Sequence, residues 1–144
     1  MEFPLPDLAA TIALAARIAT MMRPGDAILL EGPLGAGKTE FVRAMLRSAT
    51  ATPALEVPSP TFTLVQSYDT PCGTVHHFDL WRLTGPDGLV ELGWDDARDD
   101  IVLVEWPDRL GHLVPDRALT IRLDPGAGET RTAHLHGWTN RLTR

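Results

Sequence analysis

Lysine occurs once in this chain of 144 residues, at Lys38, inside the octet Gly32-Pro33-Leu34-Gly35-Ala36-Gly37-Lys38-Thr39. The other twelve basic residues are all arginine. An exposed surface charge tolerates that exchange. A site that needs a compact, hydrated point charge on a flexible stem does not, because a planar guanidinium fork has the wrong shape. The octet matches G-x-x-x-x-G-K-[ST], the loop that wraps the phosphates of ATP or GTP. Gly32, Gly35 and Gly37 free the backbone to aim the N–H groups of residues 34–39 at one anion, and a following helix adds its positive end. On this pattern Gly35, Ala36, Gly37, Lys38, Thr39 and Glu40 bind the nucleotide. Lys38 reaches the β- and γ-phosphates, and the Thr39 hydroxyl binds Mg²⁺.

Such a loop holds only half of the metal site, since P-loop enzymes take a second acid from the end of another buried strand. Glu105 follows the apolar run Ile101-Val102-Leu103-Val104 and fits that part, because ligands gather at the carboxyl ends of strands in such sheets. Asp79 ends Val75-His76-His77-Phe78 and is a second acid, able to serve either as a catalytic group or as a helix cap. His76 and His77 are adjacent on one alternating strand, so they point to opposite faces, and no cysteine or histidine stands at ligand spacing from them. They read as ordinary sheet residues. The four tryptophans, Trp81, Trp94, Trp106 and Trp138, read as core or rim anchors, with Trp106 beside the metal acid.

These groups need a sheet to carry them. The short apolar run at 27–30 predicts a buried central strand leading into the glycine-rich loop, and residues 39–48 predict the helix after it. Asp7 is an N-cap for a helix over 8–22, and Arg23-Pro24-Gly25-Asp26 stops it. Residues 50–60 read as a loop. Runs 61–68 and 75–80 read as strands of a hairpin, 86–97 as a short helix with loops, and 118–123 with 130–135 as a terminal hairpin. The expectation is one α/β domain over residues 1–144, a P-loop NTPase fold whose mixed parallel and antiparallel sheet is flanked by helices.

The composition narrows the classes. The formal net charge of −6 is uneven: residues 53–110 carry eleven acids against three arginines, while 111–144 carry five arginines against three acids. A chain that grips nucleic acid alone has a basic face, so contact with nucleic acid is expected to run through a partner. No stretch has the length of a membrane span, the segment 8–22 is interrupted by Arg17 and lacks a basic leader, and a single cysteine, Cys72, forms no internal disulfide. The expected compartment is the cytoplasm.

Gly35-Ala36-Gly37-Lys38-Thr39, Ser59-Pro60-Thr61-Phe62-Thr63-Leu64-Val65, His77-Phe78-Asp79-Leu80-Trp81-Arg82-Leu83, Glu91-Leu92-Gly93 and Leu103-Val104-Glu105-Trp106-Pro107 follow one another in an order that resembles the TsaE family, over about residues 5 to 135. The resemblance implies the ATPase component of bacterial tRNA threonylcarbamoyladenosine synthesis, using ATP and Mg²⁺ and working with TsaB and TsaD. That system modifies the adenosine beside the anticodon in tRNAs reading codons that begin with A, and tRNA is met only through the complex. Hydrolysis by the TsaE component supports multiple turnovers. Lys38 and Thr39 then hold phosphate and Mg²⁺, Glu105 is the second metal acid, and residues 59–61 form a mobile loop near the γ-phosphate. Asp79 orients or activates the attacking water, and Arg109 and Arg131 approach the nucleotide. Two positions depart from the family pattern: Trp81 where tyrosine is usual, and Trp94 where a smaller aliphatic is common. Both are expected to bear on partner contacts and not on phosphate chemistry.

Two other functions fit the same loop, a small-molecule kinase and a nucleotide-gated binding module. The kinase needs an acceptor pocket and an arginine-bearing lid, and no lid segment is evident. The lone lysine yields the first prediction. Lys38→Arg retains the charge yet should lose grip on the phosphates; near-normal ATP affinity in a binding titration would overturn the argument from its isolation.

Overall fold

The computed structural model describes residues 1–143 and contains one seven-stranded sheet. In chain order the elements are β1 (Glu2–Leu5), α1 (Leu8–Ala19), β2 (Ala27–Glu31), α2 (Lys38–Ala49), β3 (Val65–Thr70), β4 (Gly73–Asp79), α3 (Trp94–Ala97), β5 (Ile101–Glu105), β6 (Leu119–Pro125), β7 (Arg131–His136) and α4 (Thr139–Leu142). The strands lie in the order β1-β7-β6-β2-β5-β4-β3. The centre is parallel, with β2 between β6 and β5 and with β4 beside β5; both flanks are antiparallel. The expected mixed α/β sheet is therefore present.

The apolar runs explain the centre. β2 and β5 are buried along residues 27–30 and 101–105, because helices or loops cover both faces of the parallel strands. One face, carrying Ile28, Leu30, Val75, Ile101 and Leu103, packs against Ile18 of α1 and Phe41, Val42 and Met45 of α2. The other, carrying Leu29, Phe78, Val102 and Val104, is closed by Leu89, Trp94 and Leu110. Register then sets the site: Leu30 of β2 and Asp79 of β4 both stand beside Glu105 of β5. Three parallel strands thus end at one level.

Several boundaries differ from the sequence expectation for local reasons. Helix α1 starts at the predicted place, where the Asp7 carboxylate accepts the Ala10 N–H at 2.9 Å. It ends at Ala19 and not at 22, because Met21 N and Met22 N turn to the carbonyls of Ile18 and Ala19 in tighter, three-residue bonds. Strand β3 starts at Val65 and not at 61. Leu64 adopts a left-handed φ of 69° and donates its N–H to Pro60 O at 2.7 Å, so residues 61–63 leave the sheet as a turn. The 86–97 segment is two 3₁₀ turns followed by α3. β1 and the 3₁₀ run Pro107–Leu113 were not anticipated; Pro4 hides β1 from a strand pattern, and the sheet's edge is where a strand tolerates proline.

Trp94 is a core anchor, one of the two parts read for the tryptophans, and not the partner-contact residue that its departure from the family pattern suggested. It is fully buried and meets Phe78 edge-on at 5.1 Å, so it fills the core beneath β4 and β5 and makes no surface contact. Trp94→Ala should cost about 3–5 kcal/mol of stability, measured by urea denaturation, as large aromatic truncations in cores do. A loss below about 1 kcal/mol would contradict this packing role.

Candidate functional site

The chain leaves β2 at Glu31 and enters α2 at Lys38 through the glycine-rich loop. Two of its glycines are there for want of a Cβ. At Gly32 (φ +143°) a Cβ would lie 2.6 Å from the Leu123 carbonyl oxygen, and at Gly37 (φ +94°) it would lie 3.0 Å from the Arg131 guanidinium. Lys38, Thr39 and Glu40 open α2, where backbone N–H groups have no acceptor within the helix and the positive helix end suits an anion. Ala36 stands apart from the other predicted loop residues. Its N–H donates to Pro33 O at 3.0 Å and its side chain is fully buried, so it shapes the turn from below and is not brought to the cavity wall.

Gly35, Gly37, Lys38, Thr39, Glu40, Asp79 and Glu105 all line one cavity of about 380 Å³. Residues 66 positions apart are joined there by a single hydroxyl: Thr39 Oγ1 lies 2.9 Å from both Glu105 carboxylate oxygens. The two are hard oxygen donors, which suits Mg²⁺ held by one or two protein oxygens with water and phosphate oxygens completing its shell. Among the described residues no group of three or more His, Cys, Asp or Glu side chains is placed to hold an ion alone. The donors present therefore fit an ion carried in on a nucleotide better than a resident one.

Asp79 closes β4 beside Glu105. Its Oδ1 accepts the Trp81 N–H at 3.1 Å, while Oδ2 has only a long contact of 3.5 Å with the Thr61 hydroxyl. Thr61 in turn shares a 2.7 Å hydrogen bond with Ser59, so the turn that peels away from β3 is the one that reaches the acid. Burial pushes the Asp79 carboxyl above its ordinary range, and the Glu105 charge adds to that; the Trp81 N–H, His77 and Thr61 oppose it. Burial also lowers the Lys38 ammonium, against the attraction of Glu105, Asp79 and Asp108.

Lys38 is held back from the open cavity. Its Nζ donates to Gly32 O at 2.6 Å and lies 3.7 Å from the centre of the Trp106 ring. Trp106 takes a left-handed backbone (φ 59°, ψ 54°) and its ring packs against Trp81 at 4.6 Å, tilted by 50°. Trp81 therefore lines the phosphate-loop cavity, contrary to the expectation that this departure lies away from the phosphate chemistry. Of the two arginines expected near the nucleotide, Arg131 lines the cavity and approaches Glu40 at 3.8 Å. Arg109 pairs instead with Asp108 at 2.7 Å. A second cavity, of about 670 Å³, shares Glu40 and Arg131 and runs between α1 and α2 past the exposed Leu8 and Ile12.

His77 is the site residue that sequence reasoning passed over. The expected opposite faces are found: His76 points outward to Ser67 and Asp100, at 2.7 and 2.8 Å. His77 points inward and is fully buried, its Nε2 2.6 Å from Glu105 Oε2. The signal was its spacing, two residues before Asp79 on the same face of a strand.

The family model for "Threonylcarbamoyl adenosine biosynthesis protein TsaE" matches residues 5–133. This chain belongs to the TsaE family. A Rickettsia felis relative named tRNA threonylcarbamoyladenosine biosynthesis protein TsaE is 36% identical over 115 residues, covering 79% of this chain and 67% of the relative. A Synechocystis protein of the same name is 41% identical over 118 residues, covering 78% and 74%. Among solved structures, Bacillus subtilis YdiB superposes with a TM-score of 0.76 at 24% identity, over 99% of this chain and 88% of that one, a likeness of fold. The TsaE match spans every motif that supplies this site, from the loop at Gly32 to Arg131.

Asp79→Asn tests the electrostatics. It keeps an acceptor for the Trp81 N–H and removes the buried charge. The folded chain holds the Asp79 proton more tightly than the unfolded chain, so the associated stability is present below the ordinary value of 3.8 and is lost as pH rises through the raised folded value. The variant should be more stable than the native protein at pH 7, with the advantage gone below pH 3.8, as read by urea denaturation at each pH. A native protein that is the more stable one at pH 7 would reverse this reading.

Proposed function

We propose that this chain is a Mg²⁺-dependent ATPase of tRNA threonylcarbamoyladenosine formation, acting with TsaB and TsaD on tRNAs that read codons beginning with A. Its hydrolysis supports repeated turnover by the complex. The observation that carries the reading is the meeting of Thr39, Glu105, Asp79 and the phosphate loop in one cavity. Mg²⁺, held by Thr39 and Glu105, would supply charge neutralisation at the β- and γ-phosphates.

The protein side chains divide the remaining work. Lys38 leaves Gly32 O and Trp106 to meet the phosphates, since it lines the cavity itself beside Trp106. Asp79 is ionised at neutral pH once solvent or substrate compensates its burial, and Oδ2, the less committed oxygen, orients the attacking water. Water oxygen bonds to the γ-phosphorus, the bond to the oxygen bridging the β- and γ-phosphates breaks, the water proton passes by way of Asp79 to solvent, and ADP and phosphate leave. The cavity shared through Glu40 and Arg131 takes the nucleoside, its apolar wall of Leu8 and Ile12 suited to a base. Arg131 is already paired with Glu40, so transition-state charge is left to Lys38, Mg²⁺ and a partner, and the isolated protein hydrolyses slowly. A partner-supplied arginine is worth about 10³–10⁵ in rate. No helix among the described residues is long and apolar enough to cross a membrane, and a tRNA-modifying role belongs in the cytoplasm.

The test is Asp79→Ala in a reconstituted mixture with both partner proteins and tRNA. ATP binding should stay within about threefold, hydrolysis should fall by about 10²-fold or more, and modification should stall after the first turnover. Normal modification without hydrolysis would turn the reading into a nucleotide-gated binding module. Phosphate recovered on a small-molecule acceptor would make the protein a kinase.

A further inference from the structure

We infer that His77 is the positioning residue for Glu105: its ring fixes the carboxylate so that the acid can share a metal ion with Thr39. This rests on the proposed metal role of Thr39 and Glu105. The geometry is specific. Glu105 Oε2 accepts from His77 Nε2 at 2.6 Å, while the Thr39 hydroxyl lies 2.9 Å from both carboxylate oxygens. Both members of the histidine–carboxylate pair are buried, at 0% and 3% side-chain exposure, so no bulk solvent competes for Oε2. With Oε2 committed, rotation of the carboxyl group is stopped and Oε1 is left turned to the hydroxyl.

The ring is held by the sheet. His77 stands opposite Leu103 in the β4–β5 register, and Asp79 stands opposite Glu105, so His77 reaches diagonally across one residue pair to the acid. Its packing on the face under α2 leaves Nδ1 buried with no partner among the described residues. A proton on Nδ1 would be a buried donor facing nothing, whereas a proton on Nε2 faces a carboxylate. The ring therefore carries a proton on Nε2, a donor aimed at Glu105. Groups that hold a metal-ligating carboxylate by hydrogen bond are commonly worth 10–100-fold in metal affinity.

The experiment compares ADP affinity in excess EDTA with ADP affinity in saturating Mg²⁺, for the native chain, His77→Phe and His77→Gln. The native chain should gain affinity with Mg²⁺. His77→Phe should lose about 10–100-fold of that gain while its affinity in EDTA stays within about twofold, and His77→Gln, which can still donate, should recover most of it. A structural role alone would lower the stability of His77→Phe and leave the gain intact, and that result overturns the inference. A native chain indifferent to Mg²⁺ overturns the metal reading itself. If His77→Phe does not fold, the ¹⁵N spectrum of native His77 without metal or nucleotide decides. The Nε2–H tautomer supports the inference and the Nδ1–H tautomer overturns it.

Discussion

The hydrogen bonds between Thr39 and Glu105, at 2.9 Å, tie the first turn of α2 to the last residue of β5, and most of the site hangs on that junction. One end is positioned by the glycine-rich loop, which needs Gly32 and Gly37 to pass Leu123 and Arg131 without a Cβ. The other is positioned by parallel pairing, which brings β2, β5 and β4 to a common level at Leu30, Glu105 and Asp79. A one-residue slip of β5 would turn Glu105 to the opposite face, toward Trp94 and Leu110, and separate it from Thr39.

That arrangement concentrates buried ionisable groups. Lys38, His77, Asp79 and Glu105 are at most 6% exposed, and two of them are acids side by side in register. Such a cluster is costly unless each charge has a partner. Glu105 has Thr39 and His77, and Lys38 has Gly32 O and the Trp106 ring. Asp79 is the least satisfied, with one backbone N–H and a long contact to Thr61, and its carboxyl is raised by burial. The group left with unused capacity is the one to which the proposed mechanism gives the water, and acids perturbed by burial gather at functional sites.

The rim around the cavity is aromatic and apolar where the loop tips meet solvent. Leu34 is 78% exposed and Phe62 80%, with Arg82 lying 4.5 Å over the Phe62 ring. Phe62 and Thr61 belong to the same turn, so the exposed ring and the contact with Asp79 are mechanically linked. Trp81 continues the rim and packs against Trp106, which bears on Lys38. In this way Trp81 is connected to Lys38 of the glycine-rich loop through one intervening ring.

The loop, the two candidate acids, the central strands and the family resemblance were legible in the residues alone, because these are local in the chain. Glycine spacing, a lysine, and acids closing apolar runs remain visible without coordinates. The sequence also carried the opposite facing of His76 and His77, since strand alternation is a local rule. Tertiary structure alone decided that Glu105 meets Thr39, that His77 holds Glu105, that Arg131 and not Arg109 reaches the cavity, and that Trp94 is core while Trp81 is rim. Those outcomes depend on strand order and register between segments distant in the chain. β1 was hidden for the same reason: with Pro4 in the run, only its partner β7 makes it a strand.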